Sequence, residues 1–271
     1  MNRSELSEAI ASVPAWYHSM ELAPGVVTPG YFDLRSIVDR LPWPDVKGKR
    51  CLDIGTYDGF YAFELERRGA AEVIAIDVPD PHKWDWPPDA RENGPREAIE
   101  FNKGQHAPGF DVARKVLGSA VERRSMTIYE VSEAELGRFD VIVVGSLLLH
   151  LRDPLRALEA VRGVCDGTFL SVDEVRLSLR TRQPLAEFNG SGNMVQWWVP
   201  NPAGHERMLF AAGFDITRRE GPFAIPRGAS HPLVDNPPRP TLHTLKQRIG
   251  QRVLAGGEGV PHQALLAKPR L

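Results

Sequence analysis

The strongest chemical signal in the chain is the run Cys51-Leu52-Asp53-Ile54-Gly55-Thr56-Tyr57-Asp58-Gly59. A glycine at the end of a strand lets a ligand approach the backbone. A second glycine where a helix begins leaves helix N–H groups free for a carboxylate or phosphate. Asp77 lies 22 residues beyond Gly55, at the end of the next apolar run, where a carboxylate can accept both hydroxyls of a ribose. Loop and acid together describe a site for an adenosine-containing ligand; the plainer alternative is a tight turn and a solvated aspartate. Only Gly55 and Gly59 fit a glycine pattern, so the G-x-G-x-x-G dinucleotide fingerprint is incomplete. Neither a G-x-x-x-x-G-K-S/T phosphate loop nor a G-x-S-x-G nucleophile elbow occurs. Asp173-Glu174 has no third acid at a neighbouring strand end, and no metal is expected.

The elements that must hold these residues alternate along the chain. Short apolar runs at 51–54, 73–76, 125–131, 140–144, 168–172, 214–218 and 263–267 read as seven strands. Helices are expected at 60–68, stopped by Gly69, somewhere within 96–117, at Pro154–Val164 with Asp153 as its cap, and at 206–212, closed by Gly213. Residues 34–41 also carry apolar side chains at helical spacing. This cadence predicts an α/β fold: a doubly wound, mostly parallel seven-stranded sheet with helices on both faces. Ligands of such sheets sit outside the carboxyl ends of the strands, and Gly55, Asp77, Tyr129, Gly145 and Asp173 all fall there. Residues 1–45 read as a lead-in and 46–271 as the main domain, with insertions at about 79–110, 174–204 and 222–259.

Composition bounds the function. With 42% apolar and 25% charged residues the chain has the balance of an ordinary globular protein, and its apolar runs are too short to span a membrane. Net charge is −2, so a global basic field for nucleic acid is absent. Cys51 and Cys165 lie in apolar patterns and read as buried free thiols, which with no visible leader gives a cytoplasmic expectation.

The loop resembles motif I of the class I S-adenosylmethionine-dependent methyltransferases, with Asp53, Gly55 and Gly59 matching and Tyr57 replacing the middle glycine. A closer resemblance runs through Trp16-Tyr17-His18, Val26 to Asp33, Asp53 to Gly59, and Phe139 through His150-Leu151-Arg152-Asp153-Pro154-Leu155. These segments are similar to the methyltransferase-like family that includes the tRNA wobble-uridine carboxymethyltransferase. The resemblance implies a Rossmann-like methyltransferase fold, S-adenosyl-L-methionine as cofactor and S-adenosyl-L-homocysteine as product. It implies that Asp53 helps hold the methionine ammonium and Asp77 the ribose. Val78, Ile128 and Tyr129 would flank the adenine, while Thr56, Tyr57, Gly145 and Ser146 would complete the cofactor site. The wobble-uridine enzyme takes a carboxylated cofactor, bound by a lysine, a tyrosine and an arginine. Those positions hold His18, Leu149 and Gln263 or His262 here. Leu149 offers no hydrogen bond, and an unpaired carboxylate in a closed site is costly, so plain S-adenosylmethionine is expected.

The resemblance also places acceptor-side candidates. His150, after the fourth strand, is either a general base beside the methyl group or an anchor for the following helix. His18 lies in a lead-in that folds over the cofactor in this family and is either a base or plain packing. Tyr31 would line the same cover. Trp197 and Trp198 lie in an excursion that builds acceptor pockets in this superfamily, where they would face a planar acceptor or simply bury area. Glu174 and Asn189 would orient the acceptor. Three functions follow: a small-molecule O- or N-methyltransferase, a tRNA-modifying methyltransferase, or a cofactor-binding regulatory protein without catalysis. The basic stretch at 222–259 is a surface insertion, or else a flap for RNA or for the second copy in a homodimer.

Overall fold

The structure is a computed structural model that describes residues 2–88, 108–179, 181–190, 196–231 and 252–270 of the 271-residue chain. One sheet holds β1 (Arg50–Ile54), β2 (Glu72–Asp77), β3 (Glu122–Ser125), β4 (Phe139–Gly145), β5 (Cys165–Glu174), β6 (Phe214–Ile225) and β7 (Val260–Pro269), in the order β6-β7-β5-β4-β1-β2-β3. Strands β1 to β5 pair in parallel, and β7 inserts antiparallel between β5 and β6. The sheet is therefore mostly parallel, as the alternation of elements predicts.

Period-two alternation sends each central strand's side chains to two separate cores. Cys51, Val73, Ala75, Val141, Val143, Leu170 and Val172 face α1 (Arg3–Ala11), α2 (Phe60–Arg67), α3 (Pro108–Leu117) and the N-terminal segment. Leu52, Ile54, Ile74, Ile76, Ile142, Val144 and Phe169 face α4 (Glu133–Leu136), α5 (Pro154–Val164) and α6 (Pro202–Ala211). Asp53 shares the first face with Cys51, so its carboxylate lies under α2 and the N-terminal segment.

Several boundaries differ from the sequence expectation. The third strand is Glu122–Ser125, not 125–131; Ile128–Glu130 is a 3-10 turn capped by Thr127. Its Glu-Arg-Arg-Ser sequence lacks the apolar run that marks the inner strands, because it is an edge. Residues 34–41 form turns and one 3-10 helix at Val38–Arg40. Helix α6 begins at Pro202, four residues before the expected start. Asn201 caps it by accepting from the Gly204 N–H at 2.7 Å. The same Asn-Pro signal was legible, as Asp153-Pro154 is for α5. Strand β6 continues past residue 218 to Ile225, bending at two irregularities in its pairing with β7.

The lead-in is a built structure. Trp16–His18 pairs in parallel with Gly30–Phe32, and Glu21–Ala23 forms a hairpin with Val26–Val27. Trp16 is 1% exposed and drives the segment into the first core.

Candidate functional site

At the carboxyl end of β1 the chain reverses into α2. Gly55 has φ 76 and Gly59, the cap of α2, has φ 95. A methyl group on Gly59 would lie 2.3 Å from the Phe63 ring, so both backbone and space demand glycine. Tyr57 takes φ 48 in the middle of the loop, where the family motif usually has glycine. Such a conformation costs on the order of 1 kcal/mol or more. It is held by the Tyr57 N–H donating to Asp77 Oδ2.

Asp53 is the unusual group. It is 1% exposed, and neither carboxylate oxygen has a hydrogen-bond partner at ordinary distance and angle; the Thr56 hydroxyl and the Ala62 N–H only approach it. Burial pushes its pKa up to about 7, while the nearby Thr56 hydroxyl and His18 offset part of the effect. The Thr56 hydroxyl is itself buried and has no closer partner than Asp53. An uncompensated buried carboxylate is costly, and a cation delivered by a ligand would satisfy it. Asp77, at the end of β2, also accepts from the Val78 N–H at 2.6 Å. Burial raises its pKa despite those backbone donors. A carboxylate has about four lone-pair sites, so Asp77 retains acceptor capacity for two hydroxyls. The residues present therefore fit a nucleoside with an ammonium-bearing tail: a cradle kept open by Gly55 and Gly59, an acid for the ribose and an orphan acid for the cation.

The lead-in latches onto this loop through a residue that sequence reasoning passed over. Asp58 is 1% exposed; its Oδ2 accepts from the N–H groups of Tyr17 and His18, both at 2.8 Å, and its Oδ1 meets His18 Nδ1. His18 is buried against the rings of Tyr17, Phe60 and Tyr61. The structure thus gives His18 an anchoring partner. The signal was present, since an acid within a glycine loop and a histidine in a lead-in can pair, but only the fold brings them together. Tyr17 stands over the site; burial, then Glu174, Asp173 and Asp58, push its pKa up. Tyr31 lies in the cover, where its carbonyl accepts from the Gly228 N–H at 2.7 Å.

At the end of β4, Gly145 is set by packing: a methyl group there would lie 2.2 Å from the Tyr61 ring. Ser146 follows with φ 50, and its Oγ lies 3.0 Å from His262 Nε2. Leu149 is buried, and its carbonyl accepts from the Trp197 N–H at 2.7 Å. His150 is half-buried in the same 3-10 turn, Leu148–His150. Asp173 pins that turn by accepting from the Leu148 N–H at 3.0 Å. Glu174 is nearly buried with a long contact to Arg176, 3.4 Å, and burial raises its pKa.

Other candidates are already engaged. The Tyr129 hydroxyl donates to Asp85 Oδ2 at 2.7 Å and accepts from the Asp153 N–H at 3.1 Å, which draws the ring toward the start of α5. Ile128 is buried beside it. The Trp197 indole donates to the Asp85 carbonyl and the Trp198 indole to the Arg152 carbonyl at 3.2 Å. Both rings pack near Phe188, and Asn189 bonds through its backbone to Trp197. Asn201, also unforeseen, organises this excursion by donating to the carbonyls of Leu179 and Gln183. The start of the helix expected within 96–117, the Asn193-Met194-Val195 stretch and most of the basic 222–259 insertion lie outside the described residues. No metal-holding group of His, Cys, Asp and Glu occurs among the described residues, and none of their helices is long and apolar enough to cross a membrane.

The sequence profile of a family described as "Methyltransferase domain" matches residues 31–218. A ribosomal protein L11 methyltransferase of Deinococcus radiodurans is 35% identical over 120 residues, 43% of each chain. A ubiquinone biosynthesis O-methyltransferase of Neisseria meningitidis serogroup C is 26% identical over 185 residues, 65% of this chain and 68% of its own. A tRNA U34 carboxymethyltransferase of Campylobacter hominis is 28% identical over 121 residues, 45% of this chain and 34% of its own. The match thus spans less than half the length of the first and third relatives. Among solved structures, the N-terminal domain of EvdMO1, determined with SAH and D-fucose, aligns over 100% of this chain and 98% of its own at 16% identity, with a TM-score of 0.54. The [4+2]-cyclase SpnF aligns over 99% and 93% at 17% identity, also with a TM-score of 0.54. At these identities the structural likeness is one of fold.

Proposed function

This chain belongs to the class I S-adenosylmethionine-dependent methyltransferases, and we propose that it methylates an oxygen or nitrogen atom of a small-molecule acceptor. The observation that carries the cofactor half is the buried, under-bonded Asp53 carboxylate beneath the glycine loop. Asp53 receives the donor's ammonium, Asp77 the ribose hydroxyls, and Gly55 and Gly59 keep the backbone accessible. When bound, S-adenosylmethionine supplies a methyl group on a sulfonium, already activated for in-line displacement. The chain's task is then mostly positioning, on the order of 7–11 kcal/mol when orientation is good. Leu149, buried in the turn after β4, gives a carboxylated donor nothing to bond, which favours the plain cofactor.

The acceptor half rests on the near-neutral net charge and the name of the O-methyltransferase relative. The tRNA reading is the second, supported by the match to the tRNA U34 enzyme. The experiment is transfer of labelled methyl from S-adenosylmethionine to the small-molecule fraction of a cell extract and, separately, to bulk tRNA. Label in small molecules is the expected result; label only in tRNA selects the second reading. Calorimetry with plain and carboxylated donor decides between the cofactors.

A further inference from the structure

The ends of β4 and β7 hold a hydrogen-bonded pair that positioning alone does not require. Ser146 Oγ lies 3.0 Å from His262 Nε2, and His262 Nδ1 lies 2.9 Å from the Val260 carbonyl oxygen. A carbonyl only accepts, so Nδ1 carries the ring proton. Nε2 of the neutral ring must then accept, and the Ser146 hydroxyl donates. His262 is 3% exposed, whereas Ser146 is half-buried at the strand end. The geometry is built. Gly145 shares a face with Val143, and regular alternation would turn Ser146 to the opposite side. Its φ of 50 breaks that alternation, and the hydroxyl meets His262, which shares the first face with Ala264 and Leu266. Two titratable groups stand near the ring: Glu174, its register partner on β5, and His205 of α6, which feels its charge. From β6 the Phe223 ring faces it at 6.5 Å.

Resting on the methyltransferase reading, we propose that Ser146 and His262 accept the proton released when a hydroxyl acceptor is methylated, so that the reaction is an O-methylation. The acceptor O–H hydrogen-bonds to Ser146 Oγ, whose own proton already points at His262. As the new O–CH3 bond forms, the acceptor O–H bond breaks and its proton passes to Ser146 Oγ. The original Ser146 proton passes to Nε2. The positive charge that enters on the donor thus ends on the imidazolium, beside Glu174, and the proton returns through Ser146 to water after the product leaves. Burial makes His262 a weak base, its pKa pushed down to about 4. That suits an oxygen acceptor, because an oxygen bearing a new methyl is a strongly acidic oxonium that yields its proton to a weak base. A methylated amine holds its proton too tightly for such a partner.

The test has two arms. In protein loaded with S-adenosylhomocysteine and labelled with ¹⁵N at histidine, NMR is expected to show His262 protonated at Nδ1 and bare at Nε2 from pH 5 to 8. The opposite tautomer, or a doubly protonated ring, overturns the proposal. In labelled methyl transfer to the extract's small molecules, the product is expected to be a methyl ether. Ser146→Ala and His262→Gln are each expected to reduce turnover about 100-fold or more, the double variant little further, and added imidazole to restore part of the activity of His262→Ala. Retained turnover in both single variants, or an N-methyl product, sinks it; should His262→Gln not fold, Ser146→Ala carries the same expectation. If the wild type transfers nothing, the methyltransferase reading fails, and the NMR arm still decides the proton assignment.

Discussion

Asp53 has an ordinary carboxyl group in an extraordinary place, and its energetics follow from that. Its folded pKa, about 7 in the free protein, lies well above the usual carboxylate value. The group therefore contributes stability while protonated, and that contribution is lost as pH rises toward and through 7. Asp53→Asn is expected to stabilise the ligand-free protein at pH 8 by about 1–3 kcal/mol, with the gap closing toward pH 4; urea unfolding at both pH values measures it. Donor binding reverses the sign. A bound ammonium favours the carboxylate, so binding near pH 7 should release a proton, and affinity should fall as pH drops below 7. Calorimetry of S-adenosylhomocysteine in buffers of different ionisation enthalpy reads that proton directly, and in Asp53→Asn the release should vanish with about 1.5–3 kcal/mol of affinity.

Between elements, two contacts decide how the site is assembled. The Asp58 carboxylate ties the Tyr17-His18 strand to the head of α2 through two backbone donors and a ring nitrogen. Asp58→Ala leaves those donors without their acceptor, at a cost of about 1–3 kcal/mol for each that is buried. Limited proteolysis should then cut within the lead-in well before the sheet domain; an unchanged cleavage pattern would show that Trp16 alone holds the segment. Gly145 and Tyr61 make the second contact, β4 against α2. Gly145→Ala should destabilise by about 1–3 kcal/mol through overpacking. Most of that loss should disappear in a Tyr61→Ala background, a coupling that a double-mutant cycle measures.

Across the whole molecule, the net charge of −2 limits what long-range forces can recruit. Arginines are numerous, but on the described surface many are paired locally, as in Arg50–Glu72, Arg138–Asp166 and Arg219–Glu206. Non-specific tRNA binding needs several free cations facing one way. Bulk tRNA is therefore expected to show no mobility shift at about 0.15 M salt, near the physiological ionic strength. A shift that weakens steeply with salt would return the tRNA reading to first place.

The alternation of strands and helices, the glycine loop and the acid one strand later can all be read from residue order alone. Each is a local fact, written in residue type and spacing. Apolar period fixes which face a side chain takes, and a turn's φ fixes where glycine must stand. Edges were less legible: β3 has no buried face to force an apolar pattern, and the start of α6 is marked by its Asn-Pro cap and not by the apolar period. The partners were not legible at all. Asp58 meets His18 across 40 residues of chain and Ser146 meets His262 across 116. Sheet order, together with the antiparallel insertion of β7 beside β5, brings the second pair to one rim. Hydrogen bonding is short-ranged in space and indifferent to distance along the chain, so which of the chemical residues touch is fixed by the folded arrangement and not by their order.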